Sequence, residues 1–414
     1  MSRKPAFLAA LASSAVPGLD PVSVRAARTE PGRRHEVAFV TDSQHRTWVV
    51  RAPLTSAAGA QMDTTVALLA LIGRRLPFSV PAPRGFVAVP EGRAVVYAHL
   101  VGRPIDLGSV PAGPGLAAEV GRAVAALHNI DRGVFDEAGL PVYEAEESRT
   151  RKLADLDRAA ATGHVPTALL ARWERALEDV SIWRFAPTPI HGDLTGDQVL
   201  VVFEGEDDAS TGRVRGITGW DDAKVADPAE DFAALISECS PEAFESVLEA
   251  YAHSRVERPD RHLRRRARLV AELRLLGGLL SAVSSGDHDL ITARAAELRD
   301  LDERIVDESD ESDESEVATA ARGAAEPAPA ESAALVTSAD DDDTGAGESG
   351  AGDPEDPSED AEADHTQPVD AGRFTETTRV ISTEELEQIR ATPLPAENTP
   401  SAPQPGSVPP PDVR

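Results

Sequence analysis

Residues 189 to 232 read PIHGDLTGDQVLVVFEGEDDASTGRVRGITGWDDAKVADPAEDF, and this stretch contains two apolar runs separated by a polar loop. The runs, Val199 to Phe203 and Val214 to Thr218, are rich in β-branched residues, and the loop between them holds Glu, Asp, Gly, Ser and Thr. That pattern predicts a β-hairpin. A hairpin brings the residues just before its first strand close to the residues just after its second strand.

Polar clusters stand at both open ends of the predicted hairpin. His191-Gly192-Asp193-Leu194 precedes the first strand, and Gly219-Trp220-Asp221-Asp222 follows the second. Carboxylates brought together in this way can hold a divalent cation and accept a proton from a hydroxyl group, and phosphoryl transfer requires both. A structural alternative is that HGD forms a tight turn and that Asp227 and Asp231 cap a helix after Pro228.

The two clusters resemble the motifs of a known enzyme family. HGDLTGDQVL looks like the HGDLxxxNxL catalytic loop of the aminoglycoside and macrolide phosphotransferases, and GITGWDDAKVADPAEDFA resembles their GxIDWxxAxxGDPxxDLA segment, with AKVADP closest to the macrolide branch. The two motifs lie at the family's usual separation, and the resemblance covers about residues 20 to 300. It implies an α+β, two-lobed protein-kinase-like fold, with a small β-rich N-lobe over residues 1–100 and a larger helical C-lobe over residues 101–305.

The resemblance also implies roles for individual residues. Asp193 matches the catalytic aspartate that orients the acceptor hydroxyl and can take its proton, and His191 matches the histidine that braces the loop. Gln198 stands where the family usually has a metal-binding Asn, and Gly219 stands where it has the Asp that is the principal Mg²⁺ ligand. Because glycine has no side-chain oxygen, either Asp221 or Asp222 substitutes for that ligand or the metal site is lost.

The nucleotide-binding positions also depart from the family pattern. Arg51, at the end of the strand TWVVRA, takes the place of the lysine that binds the α- and β-phosphates, and an ordinary surface arginine is the alternative. Thr65 stands near where a helix glutamate would be expected, and Gly32 stands alone where a glycine-rich loop would lie. The segment YAHLVGR, residues 97 to 103, resembles the hinge where adenine binds the backbone, which makes Tyr97 and His99 nucleotide-binding candidates. The implied cofactors are ATP or GTP with Mg²⁺.

Secondary structure outside the motifs follows from periodicity and from turn residues. Two hairpins are predicted in the N-lobe, at 37–41 with 47–51 and at 87–89 with 94–100, with a helix at 57–76 between them. The N-terminal segment favours an amphipathic helix over a signal peptide. Helices are predicted at 114–130, within 150–185, and at 229–239, 241–253, 261–284 and 290–307, with a polar loop at 131–149. The arginine cluster between Arg261 and Arg268 is interpreted as a salt-bridged helix face or as a dock for the C-terminal tail.

Charge is unevenly distributed along the 414 residues. The net charge is −30, and residues 302 to 414 contain 30 acidic and 6 basic side chains. Such a segment cannot bury enough apolar surface to offset its chain entropy, so residues 306–414 are predicted to be a disordered acidic tail. Strong acidity argues against nucleic-acid binding, and no run reaches the roughly 18 apolar residues of a membrane span. The single cysteine, Cys239, excludes an internal disulfide and fits a reducing cytoplasm.

One part of the tail is more complex than the rest. Residues 373 to 390 read RFTETTRVISTEELEQIR, in which Ser382 to Glu385 form a capping-box pattern that predicts a two-turn helix formed on binding to a partner. The threonines Thr375, Thr377 and Thr378 resemble the phospho-threonine motifs of actinobacterial kinase substrates, which forkhead-associated domains recognise. This suggests a phospho-threonine-reading or other protein partner, and a structured piece of an inert tail is the alternative.

Two functions are therefore considered. The first is a phosphotransferase that moves the γ-phosphate of a nucleoside triphosphate to a hydroxyl of a small molecule, either a macrolide or aminoglycoside or an endogenous sugar or amino-alcohol. In that case the acidic residues Glu144, Glu146 and Glu147 are candidates for binding a cationic amino sugar. The second is a catalytically degenerate kinase-like protein that binds a nucleotide or small molecule and acts as a scaffold through its acidic tail.

Overall fold

The computed structural model describes residues 3–27, 34–205 and 211–305 in full, and the backbone of residues 306–323 and 379–380. The N-lobe is built on an antiparallel sheet. Its strands are β1 (Pro21–Ala26), β2 (His35–Asp42), β3 (Thr47–Pro53), β4 (Pro83–Val89) and β5 (Gly92–Ala98), in the order β1-β2-β3-β5-β4. Both predicted N-lobe hairpins, β2 with β3 and β4 with β5, are confirmed. The edge strand β1 was not predicted.

Two helices cover the opposite faces of this sheet. α1 (Pro5–Ala15), the predicted N-terminal helix, packs on one face, and α2 (Ser56–Ile72) packs on the other. Side chains alternate along a strand, so Ala94 and Val96 of β5 join the α1 cluster whereas Val95 and Tyr97 join the α2 cluster. The α2 cluster continues into the C-lobe, so the two lobes share one apolar core.

The C-lobe is mainly helical. Its short strands are β6 (Arg103–Pro104), β7 (Thr188–Ile190), β8 (Val199–Val202), β9 (Arg213–Ile217) and β10 (Lys224–Ala226). Its helices are α3 (Leu116–His128), α4 (Arg132–Glu137), α5 (Ala145–Ala160), α6 (Thr167–Glu178), α7 (Ala233–Glu238), α8 (Pro241–Ser254), α9 (Leu263–Ser285) and α10 (His288–Gly323). β8 and β9 form the predicted hairpin, and β7 pairs with β10 beside it.

The predicted loop at 131–149 is wrong in part, because it contains α4 and the start of α5. The Asp131 side chain accepts a hydrogen bond from the Gly133 N–H at 2.7 Å, and this cap starts a helix that is too short to show periodicity. The predicted helix at 229–239 begins as a 3₁₀ turn over Pro228–Phe232 before α7.

The C-terminal residues that the structure describes contribute two elements. α10 continues to Gly323, past the boundary at residue 305 that composition suggested. A two-residue strand, β11 (Arg379–Val380), pairs antiparallel with β1, opposite Ser23 and Val24. The predicted helix at 382–390 and the threonines before β11 lie outside the described residues. Among the described residues, no helix is long and apolar enough to cross a membrane.

Candidate active site

Asp193 lies in the loop between β7 and β8, where its side chain is about half exposed at 50%. Its Oδ1 lies 3.1 Å from Nη2 of Arg274, which α9 contributes. The chain separation between these two residues explains why sequence reasoning did not identify Arg274. The aspartate is therefore accessible from solvent while one of its oxygens is held in place.

The backbone of this loop is fixed by a buried carboxylate. Asp231 accepts hydrogen bonds from the N–H groups of His191 at 2.9 Å and Gly192 at 2.7 Å. His128 Nε2 lies 3.0 Å from the same carboxylate, which is fully buried. Asp227 does cap the following turn, accepting from the Ala229 N–H at 3.0 Å. The structural alternative in which Asp231 also caps this helix is wrong, because both of its carboxylate oxygens accept hydrogen bonds from the loop instead.

His191 joins the two sequence motifs. Its Nε2 lies 2.8 Å from the carbonyl oxygen of Thr218, and its ring packs edge-on against Trp220 with centroids 4.9 Å apart. The backbone of Gly192 has φ of 88°, and a Cβ atom there would lie 2.1 Å from the carbonyl oxygen of Asp222. Only glycine permits this approach, because any side chain would push the two motifs apart.

Gly219 and Gln198 occupy one small volume. Gly219 is in the left-handed region, with φ of 83°, and a Cβ atom there would lie 2.6 Å from Cδ of Gln198. The glutamine side chain is one methylene longer than the asparagine of the family pattern, and it fills the space that an aspartate side chain at position 219 would need. The two departures from the family pattern, glutamine at 198 and glycine at 219, therefore depend on one another sterically.

Asp221 and Asp222 each contact an arginine of the N-lobe. Asp221 Oδ2 lies 2.6 Å from Nη2 of Arg51, and both carboxylate oxygens of Asp222 lie 2.8 Å from Nη2 of Arg34. Burial disfavours the charged form of Asp221, but the Arg51 charge and hydrogen bond outweigh it and hold the pKa of this carboxyl below its usual value. Burial lowers the pKa of Arg34, whereas Asp222, Asp221 and Asp193 raise it, and the net shift is upward.

The predicted nucleotide-binding residues lie on two inner strands of the sheet, Arg51 on β3 and Tyr97 on β5, with His99 directly after β5. Arg51 faces the motif region through its contact with Asp221. The Tyr97 hydroxyl is buried and lacks a hydrogen-bond partner among the described residues, and burial raises its pKa to about 12. The His99 N–H donates to the Thr47 carbonyl oxygen at 3.0 Å, so that group belongs to the sheet. The described contacts of Tyr97 and His99 are internal, and their role in nucleotide binding stays a prediction.

A cavity of about 470 Å³ lies beside the two motifs. α2, α5 and the segment 139–143 line it together with Asp221, Asp222, Lys224 and Glu230. Lys152 and Lys224 contact the two oxygens of Glu230 at 3.0 and 2.8 Å. Burial disfavours the charged form of Glu230, but these lysines outweigh it and lower its pKa. The cavity therefore carries charges of both signs, and its lining residues Asp222 and Lys224 lie beside Gly192 of the HGD loop.

The three glutamates considered for acceptor binding do not line this cavity. Each pairs with an arginine on the protein surface instead, because an arginine lies within a helical turn or across a short loop. The pairs are Glu144 with Arg132, Glu146 with Arg149 and Glu147 with Arg151.

Comparison with known proteins connects this geometry to a family. The model of the phosphotransferase enzyme family (APH) matches residues 26–269, which is more than half of the chain. The chain belongs to this phosphotransferase family. Viomycin phosphotransferase of Streptomyces vinaceus is 30% identical over 225 residues, which cover 52% of this chain and 75% of that protein. An uncharacterised protein of Bacillus subtilis, YcbJ, is 29% identical over 227 residues, covering 52% and 71% respectively.

Solved structures of phosphotransferases share the fold. Macrolide 2′-phosphotransferase MphH of Brachybacterium faecium is 28% identical with a TM-score of 0.57, over 68% of this chain and 94% of that one. An aminoglycoside phosphotransferase in complex with GDP and kanamycin has a TM-score of 0.60 over 70% of this chain and 96% of its own, but at 19% identity it shows the fold alone. The predicted family and the two-lobed kinase-like fold are confirmed.

The Mg²⁺ that the family pattern implies does not fit the residues present. Gly219 offers no oxygen, and the Gln198 side chain fills the space beside it. Asp221 and Asp222 are neutralised by Arg51 and Arg34, which leaves Asp221 Oδ1 as a buried oxygen without a partner among the described residues. Within the same part of the chain, no three His, Cys, Asp or Glu side chains form a group able to hold a metal ion. Metal binding by Gln198, Asp221 and Asp222 stays a prediction that this arrangement does not favour.

Proposed function

We propose that this protein transfers the γ-phosphate of a nucleoside triphosphate to a hydroxyl group of a small-molecule acceptor. The observation that carries the proposal is the position of Asp193, which is accessible on a loop whose backbone is fixed by the buried Asp231. Phosphoryl transfer depends on positioning and on electrostatic stabilisation more than on covalent chemistry. A rigidly held and accessible carboxylate suits that demand.

In this proposal Asp193 orients the acceptor hydroxyl and accepts its proton. Arg274 holds one carboxylate oxygen, which leaves the other oxygen to face the acceptor. His191 and Asp231 act through the loop and position Asp193 without touching the substrate. Loss of either contact would move the carboxylate, and small displacements of a reacting group are costly to the rate.

Arg34 and Arg51 are two described cations that the nucleotide phosphates would bind. Both extend from the N-lobe to the Asp221–Asp222 pair, and a guanidinium binds phosphate oxygens in a forked geometry. On nucleotide binding, the phosphates would compete with these two carboxylates for the arginines. The nucleotide is ATP or GTP, and GDP or ADP accompanies several structural relatives.

The cavity of about 470 Å³ is the proposed acceptor site, and its volume is in the range of small-molecule sites. Its mixed lining suits an acceptor that has both hydroxyl and amino groups. The relatives make a macrolide or viomycin the first acceptors to test, followed by aminoglycosides and endogenous sugars or amino-alcohols.

A second function is favoured by one specific observation. Gln198 occupies the space of the missing aspartate at Gly219, so a protein that binds a nucleotide without transferring phosphate is the rival proposal. Loss of a metal ligand removes several kcal/mol of transition-state stabilisation in metal-dependent enzymes. Such a protein would act as a scaffold, with partners at its acidic tail.

Calorimetric titration of the full chain with ATP and GTP, each with and without Mg²⁺, tests both functions. Phosphorylated products are sought in parallel by mass spectrometry across the acceptor panel. The enzyme proposal expects product with at least one acceptor and its loss in Asp193→Asn, whereas the exposed Asp136→Asn retains it. Metal-independent nucleotide binding without product from any acceptor would support the scaffold function instead. Product that persists in Asp193→Asn would contradict the role given to Asp193.

A further inference from the structure

A groove of about 660 Å³ lies between α6 and the beginning of α9, far along the chain from the motifs. Its lining is dominated by arginines, and Glu272 is the acidic residue among them. The lining arginines, hereafter the arginine groove, are Arg172, Arg175, Arg261, Arg264, Arg265 and Arg268.

Half of the arginine groove is not neutralised by carboxylates of the described chain. Three of its arginines have acidic partners, which are Glu272 for Arg172, Glu245 for Arg264 and Asp179 for Arg265. In the part of the chain that the structure describes, Arg175, Arg261 and Arg268 have no carboxylate within salt-bridge distance. Clustered like charges repel one another and attract an anionic ligand.

We propose that the acidic run at residues 307–316 of this chain, DESDESDESE, docks against the arginine groove. The run has seven acidic residues and no basic one. Two of every three residues are acidic, so every face of a helix formed by this run presents carboxylates to a neighbour. The charges of the run and of the groove are complementary.

Chain geometry brings the acidic run to the groove. α9 and α10 are joined by a turn at Gly286 and pack against one another, and consecutive helices joined so tightly run antiparallel. Residues 304 to 311 follow the turn by the same number of positions as residues 261 to 268 precede it. Both helices rise about 1.5 Å per residue, so the helical residues 263–268 lie level with residues 304–309, at the start of the acidic run. Leu301 and Ile305 of α10 share an apolar cluster with Leu269, which itself lines the groove.

The consequence is that docking holds the helical continuation of α10 against the C-lobe. An isolated run of like charges makes a poor helix, because neighbouring turns repel one another. Arginines on α9 and α6 remove that repulsion. The interaction weakens as salt screens it.

Hydrogen–deuterium exchange on the full chain tests the docking. The groove variant Arg175→Gln, Arg261→Gln, Arg268→Gln is expected to speed amide exchange in residues 306–316 by about tenfold, and 1 M NaCl is expected to do the same to the wild type. A control with the same charge change, Arg74→Gln, Arg84→Gln, Arg258→Gln, uses exposed arginines elsewhere and should leave that exchange unchanged. Unaltered exchange in residues 288–305 shows that the variants are folded.

A charge exchange gives an independent test. Arg261→Glu with Arg268→Glu should release the run, and adding Glu308→Arg and Glu311→Arg should restore slow exchange. Equal exchange of residues 306–316 in the wild type and in the groove variant would overturn the proposal. So would slower exchange of residues 261–268 on adding inorganic phosphate without any change in 306–316, because the groove would then be a site for small anions.

Discussion

At the scale of single residues, the departures from the family pattern are the most informative positions. The sequence alone singles out Asp193 and His191 as candidate site residues and shows that Gly219 lacks the family's metal ligand, because all three positions lie within recognisable motifs. It does not show that Gln198 fills the vacated space, nor that Arg34 and Arg51 neutralise the neighbouring aspartates. Those contacts join residues that are far apart in the chain, and no local pattern encodes them.

The coupling of Gln198 and Gly219 predicts a non-additive pair of substitutions. Gly219→Asp alone should lower the free energy of unfolding by roughly 1–3 kcal/mol, because its Cβ atom meets the Gln198 side chain and its φ is positive. Adding Gln198→Asn shortens the side chain that this Cβ atom meets and should recover part of the loss caused by that contact, whereas the strain of the positive φ remains. Urea unfolding of the wild type, both single variants and the double variant measures the coupling.

The same variants test the account of the missing metal site. In the double variant an aspartate and a shorter amide side chain face each other and restore two oxygen ligands. Mg²⁺ is therefore expected to tighten nucleotide binding by the double variant and to leave binding by the wild type unchanged. If the two substitutions were additive in stability, the proposed overlap would be excluded.

At the scale of elements, periodicity and turn chemistry predicted the β8–β9 hairpin, both N-lobe hairpins and most helices. The misses include β1, the strands β6, β7 and β10, which are only two or three residues long, and α4, which a single capping aspartate starts. How the elements are held together was not predictable. His128 at the end of α3 contacts Asp231 through Nε2 and the Tyr251 hydroxyl of α8 through Nδ1, at 3.0 and 2.9 Å. A chain of buried polar contacts therefore links two helices to the loop that carries Asp193.

This chain of contacts predicts a pH dependence. Burial lowers the pKa of His128 below its usual value of 6.5, although Asp231 opposes the shift. As pH falls below about 6.5, the unfolded chain binds a proton on this histidine that the folded protein does not, so stability is lost. The free energy of unfolding should fall from pH 7.5 to 5.5 with a contribution of up to about 1.4 kcal/mol per pH unit from His128.

Chemical denaturation across this pH range, compared between the wild type and His128→Gln, isolates that contribution. The slope should be smaller in His128→Gln, and the exposed His253→Gln should keep the slope of the wild type. Equal slopes in the wild type and His128→Gln would show that His128 does not carry the effect.

At the scale of the whole molecule, composition separated the acidic C-terminal region from the phosphotransferase domain, and the family model ends at residue 269. Composition did not show that residues beyond 305 extend α10, nor that a later pair of residues returns to the N-lobe as β11. Strand pairing between positions so distant in the chain depends on which edge the sheet leaves open, and that is known only once the lobe is assembled.

The return of β11 has a consequence for how copies of the protein behave toward one another. β1 would otherwise be an unpaired edge, and an open edge is a template for strands of other molecules. β11 covers Ser23 and Val24 of that edge. Val380→Pro, which removes a backbone donor from β11, should therefore promote concentration-dependent self-association, visible as a rise in weight-average mass by sedimentation. A proline inside a helix is not a suitable control, because Val283→Pro, for example, would disrupt α9. The control is Val256→Ala, at an exposed position, which should sediment like the wild type. A Val380→Pro protein that sediments like the wild type would mean that β1 resists self-pairing without its cover.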